Sequence, residues 1–447
     1  MRRVTRVSAV LRTVILRSLI LLARVPGTAA VVSAAVLGGL INVAVAAPPF
    51  TADEPAYESQ NPAAGQPQAM VSGQGRFESI EGALARYRAL TLEYRWPPIV
   101  PTATLRLGDI DPVVADIRNR LILLGDLQAG IAPAEPWRFD EALQAALVRF
   151  QRRHGLEADG LWGRRSRAAL EVSPGLRYRQ LQRNRERLDQ FEVQRGAANT
   201  YVVVNIPAFE MRYFEAGKPV LQMRAIVGKL KARTPLLVSQ IDSLELNPDW
   251  NVPSGIAYRD IVPSMEQSPD VLHSKGLELV VGHGAAMRSL PLSELDFEHL
   301  YRGPQPQQRF WQAPGPSNPL GQLKFNFPNP YLVYMHGTPS AGLFSKPTRN
   351  FSSGCIRIEY PDKLAKRLFG LAGGDQGAAS VSRLEREIAS GKNRVLSLPV
   401  PVPVYTTYWT AWLDDEGQLQ FRDDLYGHDS DAEQHVSVTQ QVRIAGP

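Results

Sequence analysis

The 447-residue chain contains one cysteine, Cys355, and it sits in Phe351-Ser352-Ser353-Gly354-Cys355-Ile356-Arg357. His336 lies nineteen positions upstream, in Tyr334-Met335-His336-Gly337-Thr338-Pro339. A lone cysteine cannot form an internal disulfide, so its thiol is either a small buried hydrophobe or a group kept for reactivity. The thiolate is the nucleophile, and a free thiol is mostly protonated at neutral pH, so a neighbouring base is needed. His336 closes a strand-like run and is the candidate base. Ser352, Ser353 and Gly354 are small, which lets the backbone turn tightly and aim N–H groups at one point, an oxyanion hole in the making. The chemistry implied is acyl transfer through a thioester. The remaining histidines (His154, His273, His283, His299, His428, His435) are scattered, and no helical histidine pair accompanies the single cysteine, so a zinc site is not expected. No metal or cofactor is called for.

The elements that must hold these residues fall into a sequence of regions. Residues 1–46 carry six arginines and no acid, followed by an uncharged run from Val25 to Val43 and then Ala44-Val45-Ala46. A charged start, an apolar centre and an A-x-A end read as an export signal, either cleaved or kept as a membrane anchor. The net charge of +6 comes from this leader: 50 − 6 leaves 44 basic residues against 44 acidic ones, so a nucleic-acid footprint is not supported. Apolar and charged contents of 44% and 21% are those of a globular chain. Residues 47–104 read as a Pro/Ala/Gly/Gln tether and then a helix over Phe77–Tyr94, with Ile80, Leu84, Tyr87 and Leu90 on one stripe.

Residues 105–172 form a compact helical unit. Asp111-Pro112 starts one helix and Asp140 a second, and Gly155 to Gly163 is a glycine-punctuated turn before a short third helix. Residues 173–198 read as a connector helix with a solvated, Arg/Glu/Gln-rich face. From Thr200 the pattern turns to strands: Tyr201–Ile206, Met211–Phe214, Val220–Val227, Leu323–Phe327, Tyr331–Met335 and Val395–Leu398. Residues 254–319, rich in proline and poor in strand signals, read as an insertion over the strand core. Residues 403–447 hold a hairpin around Asp415-Glu416-Gly417 and a tail, with Tyr408, Trp409 and Trp412 more suited to packing than to sugar stacking.

Two resemblances follow. Phe139-Asp140, Phe150-Gln151, Gly155-Leu156, Asp159-Gly160, Gly163 and Ala169-Leu170 resemble the three-helix peptidoglycan-binding domain. His336-Gly337 followed by Ser352-Ser353-Gly354-Cys355 and Ile356-Arg357 resembles the motif of the L,D-transpeptidase (YkuD-type) family. It is most similar to the large periplasmic subgroup, which also shows segments like Asn247 to Pro253, Ala313 to Gly321 and Tyr408 to Trp412. The resemblance implies an α+β chain: a mainly-β catalytic domain over 199–402 with a capping insertion, plus the small helical domain. It implies Cys355 as nucleophile, His336 as base and later acid, and the Gly337 carbonyl as the group that orients the imidazole. Tyr334 would touch the imidazole or the substrate, and Ser352, Ser353 and Gly354 would shape the loop. Ser353 stands where many family members have a second histidine. Arg357 would bind a substrate carboxylate or clamp the loop. The activity implied is cross-linking of peptidoglycan between the third residues of stem peptides, from a tetrapeptide donor that releases D-alanine. A wall-protein-attaching acyltransferase, a stem-peptide hydrolase and a non-catalytic wall-binding scaffold are the rival readings. The partners implied are peptidoglycan stem peptides and glycan, in the periplasm or cell envelope, with the leader in or through the inner membrane.

Overall fold

The computed structural model describes residues 76–130, 135–268, 270–302 and 307–430. The leader and the tether at 47–75 lie outside them. Among the described residues no helix is long and apolar enough to cross a membrane.

Helix α1 (Ile80–Glu93) starts at Ser79, whose side chain accepts from Gly82 N, and buries Ala83, Tyr87 and Leu90 along one face. The helical unit follows with α2 (Val113–Leu123), α3 (Glu141–Arg153) and α4 (Arg164–Glu171). Asp111 Oδ1 accepts from Val113 N at 2.9 Å, and Asp140 Oδ1 accepts from Leu143 N at 2.8 Å, so both helix starts use a short acid to satisfy a free N–H. Val114, Ile117, Leu121, Phe139, Leu147 and Phe150 fill the core between them. The Gln151 carboxamide donates to Asp159 Oδ1 (2.8 Å) and Ser166 Oγ (3.0 Å) and accepts from Gly160 N (2.9 Å). That one buried side chain ties Gln151, Asp159 and Gly160 together.

Helix α5 (Pro174–Arg195) keeps the solvated, charged face expected and adds a buried one. Its Leu181 and Asn184 are fully buried. Asn184 exchanges hydrogen bonds with Thr410, Nδ2 to Oγ1 at 2.7 Å and Thr410 N to Oδ1 at 2.8 Å. Arg187 pairs with Asp429 at 2.7 Å, and the Arg177 guanidinium lies 4.6 Å from the Phe421 ring centre. One face of the helix thus meets partners more than 200 positions later, while Arg179, Arg185, Glu186, Asp189 and Glu192 remain exposed on the solvated face the sequence suggested.

Strands β1 (Tyr201–Asn205), β2 (Glu210–Glu215), β3 (Lys218–Ile226) and β4 (Leu237–Leu246) come next, then the lid strand β5 (Trp250–Asn251). The turn between β2 and β3 places Ala216 and Gly217 at positive φ (51° and 76°), the geometry of a tight hairpin. The lid continues as a helical run from Ser254 to Gln267 with a π-turn at Ala257–Ile261, and then β6 (Leu277–Val281), β7 (Arg288–Leu290) and β8 (Arg309–Gln312). Its four strands pair in the order β5-β8-β6-β7. Val252, Ala257, Leu272, Leu279, Leu300 and Phe310 give it a core of its own. The stretch read as strand-poor is thus a small folded sheet, begun before residue 254.

The chain then returns to the main sheet with β9 (Leu323–Asn326), β10 (Met335–His336), β11 (Ile356–Ile358) and β12 (Arg394–Thr407). The barrel closes in the order β1-β12-β4-β9-β10-β11-β3-β2. Between β11 and β12, helices α6 (Pro361–Gly370) and α7 (Gly374–Ala389) insert Leu364, Leu368, Phe369 and Leu384 into the barrel core. The expected boundary at 402/403 falls inside β12, whose Val404–Thr407 pair in parallel with Val202–Asn205. Beyond β12, β13 (Ala411–Leu413) and β14 (Leu419–Phe421) form a hairpin whose Leu419 and Phe421 pack with Tyr87 and Leu181.

Candidate active site

Strands β10 and β11 run parallel, with Met335 opposite Ile356 and His336 opposite Arg357. Continuing that register by one residue sets Tyr334 beside Cys355. Met335, Ile356 and Ile358 point into the barrel core. Alternation along each strand therefore puts Tyr334, His336, Cys355 and Arg357 on the opposite face, together. The Tyr334 and His336 rings are 5.6 Å apart. Strand β9 adds Lys324, paired opposite His336. Its ammonium lies 4.7 Å from the Tyr334 ring centre and 2.8 Å from Glu245. Lys324 was not singled out in the sequence. Its only signal is the alternation Leu323-Lys324-Phe325-Asn326.

His336 is 4% exposed, and its Nδ1 lies 2.6 Å from the Gly337 carbonyl oxygen. Burial holds its pKa down to about 3, helped by the charges of Arg357 and Lys324 and opposed by the carbonyls of Gly337 and Leu320. The imidazole is therefore neutral across the physiological range. With Nδ1–H held by a carbonyl, Nε2 is left as the basic nitrogen.

The Leu320 carbonyl is placed by a segment that the sequence marked without a role. Asn318 is fully buried; its Nδ2 donates to Pro248 O (3.0 Å) and Ala313 O (3.1 Å), and its Oδ1 accepts from Leu320 N (2.9 Å). Gly321, at φ +65°, lies against Thr338 and Gly337, and a Cβ there would meet Thr338 N at 2.9 Å. The two segments around Pro248 and Asn318 thus form the root of the lid and one wall behind His336.

Cys355 is a half-buried free thiol. Burial pushes it above its ordinary value of 9.0, against hydrogen bonding from the Tyr334 main chain and phenol and the charges of Lys324 and Arg357. The loop before it is fixed at every step. Ser352 Oγ donates to Cys355 O at 2.5 Å and accepts from Gly354 N at 3.2 Å. Gly354 has φ +116°, a conformation that suits glycine. Its carbonyl accepts from Thr234 Oγ1 at 2.8 Å, and the same hydroxyl accepts from Gly228 N at 2.9 Å. The Tyr426 hydroxyl donates to Gly228 O (2.6 Å) and accepts from Thr234 N (3.2 Å), and the Tyr408 hydroxyl accepts from Tyr426 N (2.5 Å). Tyr408 is thus a buried strut, one end of a relay that reaches the cysteine loop.

Arg357 forms no ion pair among the described residues, and its Nε is buried without a hydrogen-bond partner. Ser353 is exposed, and its hydroxyl accepts from Arg259 Nη2 of the lid at 2.8 Å. Among the described residues no group of three His, Cys, Asp or Glu side chains is arranged to hold a metal.

Fold and site together define a closed-barrel domain that presents a neutral histidine and a free cysteine on one strand face, under a separately folded lid. Residues 199–374 match the YkuD family, described as the L,D-transpeptidase catalytic domain, and residues 111–170 match the "Putative peptidoglycan binding domain" family. The chain thus carries a YkuD-type L,D-transpeptidase catalytic domain over residues 199–374 and a peptidoglycan-binding domain over residues 111–170. It is 32% identical over 230 residues to a Haemophilus influenzae protein named "Putative L,D-transpeptidase", an overlap of 51% of this chain and 44% of that one. The chain thus matches under half the length of that relative. Among solved structures, an L,D-transpeptidase (Yku) from Stackebrandtia nassauensis is 14% identical, over 69% of this chain and 96% of that one, with a TM-score of 0.25. An L,D-transpeptidase from Mycobacterium smegmatis is 15% identical, over 47% and 58%, with a TM-score of 0.20.

Proposed function

We propose that this protein is exported to the periplasm and there forms peptidoglycan cross-links between the third residues of two stem peptides. The observation that carries this reading is the shared face of His336 and Cys355, with the imidazole held neutral and its Nδ1 on the Gly337 carbonyl. Nε2 takes the Cys355 proton as sulfur attacks the carbonyl that joins the third residue of a donor tetrapeptide to its terminal D-alanine. The C–N bond breaks, His336 returns the proton to the departing amine, and a thioester remains. The amine of a second stem attacks the thioester, His336 accepts its proton, and the Cys355 thiolate leaves and is reprotonated.

The oxyanion is stabilised by the Cys355 N–H, which meets no acceptor among the described residues, whereas the Gly354 N–H is already taken by Ser352 Oγ. Arg357, without an acid partner, supplies a charge for a stem carboxylate on the floor of the site. No cofactor enters the scheme. The helical domain over 105–172 holds the glycan, and the lid limits entry of water, which competes for the thioester.

The test is the muropeptide profile of cells that carry the wild-type gene or Cys355→Ala. Cross-links between third residues should vanish in the variant, and an unchanged profile would refute the assignment. Loss of a protein–wall adduct, or of trimmed stems, in place of cross-links would point to the rival acceptors, a protein amine or water.

A further inference from the structure

Among the described residues, one lid side chain, Arg259, hydrogen-bonds the cysteine loop. Arg259 lies in the π-turn Ala257–Ile261, where Ala257 and Ile261 face the lid core and Arg259 and Asp260 face out. A π-turn inside a helix is a recurrent device at functional positions, because it swings one side chain out of the regular helical order. The Arg259 guanidinium spans to the hydroxyl of Ser353, two residues before Cys355, at 2.8 Å. Its Nε and Nη2 also chelate the neighbouring Asp260, at 2.9 and 2.6 Å. Both members of that pair are about half exposed (44% and 45%), so the pair is weak and readily exchanged for another carboxylate. Arg259 Nη1 has no hydrogen-bond partner among the described residues. Lys229, whose N–H bonds Ser352 O at 3.0 Å, stands on the same rim, and its charge and that of Lys275 act on Asp260. Three cations thus face one acid at the lid edge of the cleft.

We infer that Arg259 and the Ser353 hydroxyl form a carboxylate-binding subsite, which takes a free carboxylate of the stem peptide as the lid lies over Cys355. The subsite rests on the proposal that stem peptides are the substrate. It is separate from Arg357, which is rooted in β11 below the cysteine. A guanidinium fork matches a carboxylate bidentately, and the serine hydroxyl adds a third donor. Ser353 and Asp260 hold the fork at the place proposed for the carboxylate.

The experiment measures Cys355 acylation of the full chain by intact mass, with a tetrapeptide donor carrying free side-chain carboxylates and with the same donor carrying carboxamides. Wild type should favour the free carboxylates in kcat/KM by about 10- to 100-fold, the range for a hydrogen-bonded charge pair. In Arg259→Gln that preference should fall about tenfold, leaving at most what Arg357 sustains, and Arg259→Lys should restore part of it. Iodoacetamide alkylation of Cys355 in each variant reports an intact site. A preference undiminished in Arg259→Gln overturns the subsite, and so does an equal loss on both donors, the mark of a residue that only pins the lid. If wild type is acylated by neither donor, the proposed function falls, and the subsite with it.

Discussion

The resting state of the Cys355–His336 pair governs how the thiol responds to pH. Burial pushes the Cys355 thiol above 9.0 and holds His336 near 3, so at neutral pH both groups are uncharged. A thiol whose pKa is 9.0 or higher is less than about 1% thiolate at pH 7. The sign is fixed: raising pH increases the thiolate tenfold per unit, and with His336 near 3 the imidazolium is below about 1% above pH ~5, so nothing offsets this. Alkylation of the resting protein by iodoacetamide should therefore climb by about 100-fold between pH 6 and 8, without a plateau. Removing the Arg357 charge should push the thiol higher still, so Arg357→Gln should alkylate more slowly at each pH. The assay is the second-order rate from intact mass, on the full chain, in buffers of constant ionic strength. A rate already level between pH 5 and 7 would reveal a thiolate–imidazolium pair in the resting protein. That result would refute the argument that burial outweighs Tyr334, Lys324 and Arg357 at this sulfur.

Two further outcomes follow from buried polar contacts. Thr234→Val keeps the side-chain shape but strands Gly354 O and Gly228 N, each at a cost of about 1–3 kcal/mol; acylation of Cys355 should fall at least tenfold with the far-UV circular dichroism unchanged, and an unaltered acylation rate would show that the loop needs no clamp. Asp126→Asn leaves the Arg153 guanidinium, bonded through Nε at 2.7 Å and buried against Phe150, without its counter-charge, and should cost about 3–5 kcal/mol in urea unfolding; a loss under ~1 kcal/mol would remove this pair from the helical unit's stability.

The two reacting side chains were legible because each sits in a short local pattern: a strand ending in His336-Gly337, and a small-residue turn before Cys355. The helical unit was legible because its cap residues and apolar spacing repeat at 3.6. The barrel was harder. Strand β4 buries Ile241 and then Leu244, three apart, so its alternation breaks. Its partner β12 carries Pro399, Pro401 and Pro403, residues that cannot donate to a ladder and argue against a central strand. The structure accommodates Pro399 and Pro401 by shifting register between Ser397 and Val402, so the strand runs on to Thr407. In the lid, β7 and β8 span three and four residues, too short to show a period, and its core joins Val252 to Phe310 across most of the insertion.

What no local pattern could reveal is how the pair is aimed. His336 takes its orientation from two carbonyls, and the second, Leu320, is set by Asn318 reaching back 70 residues to Pro248. The loop of Cys355 takes its shape from Thr234, which is held by Tyr426, which is held by Tyr408. These bonds are polar and at least partly buried, and most are long-range, so each costs more to leave unmade than it contributes when formed. That asymmetry makes the site rigid before substrate arrives. The root of the lid orients the base, and the segment after β12 orients the nucleophile. A barrel that lacked either support would keep both side chains on one face and still lose the alignment that acyl transfer requires.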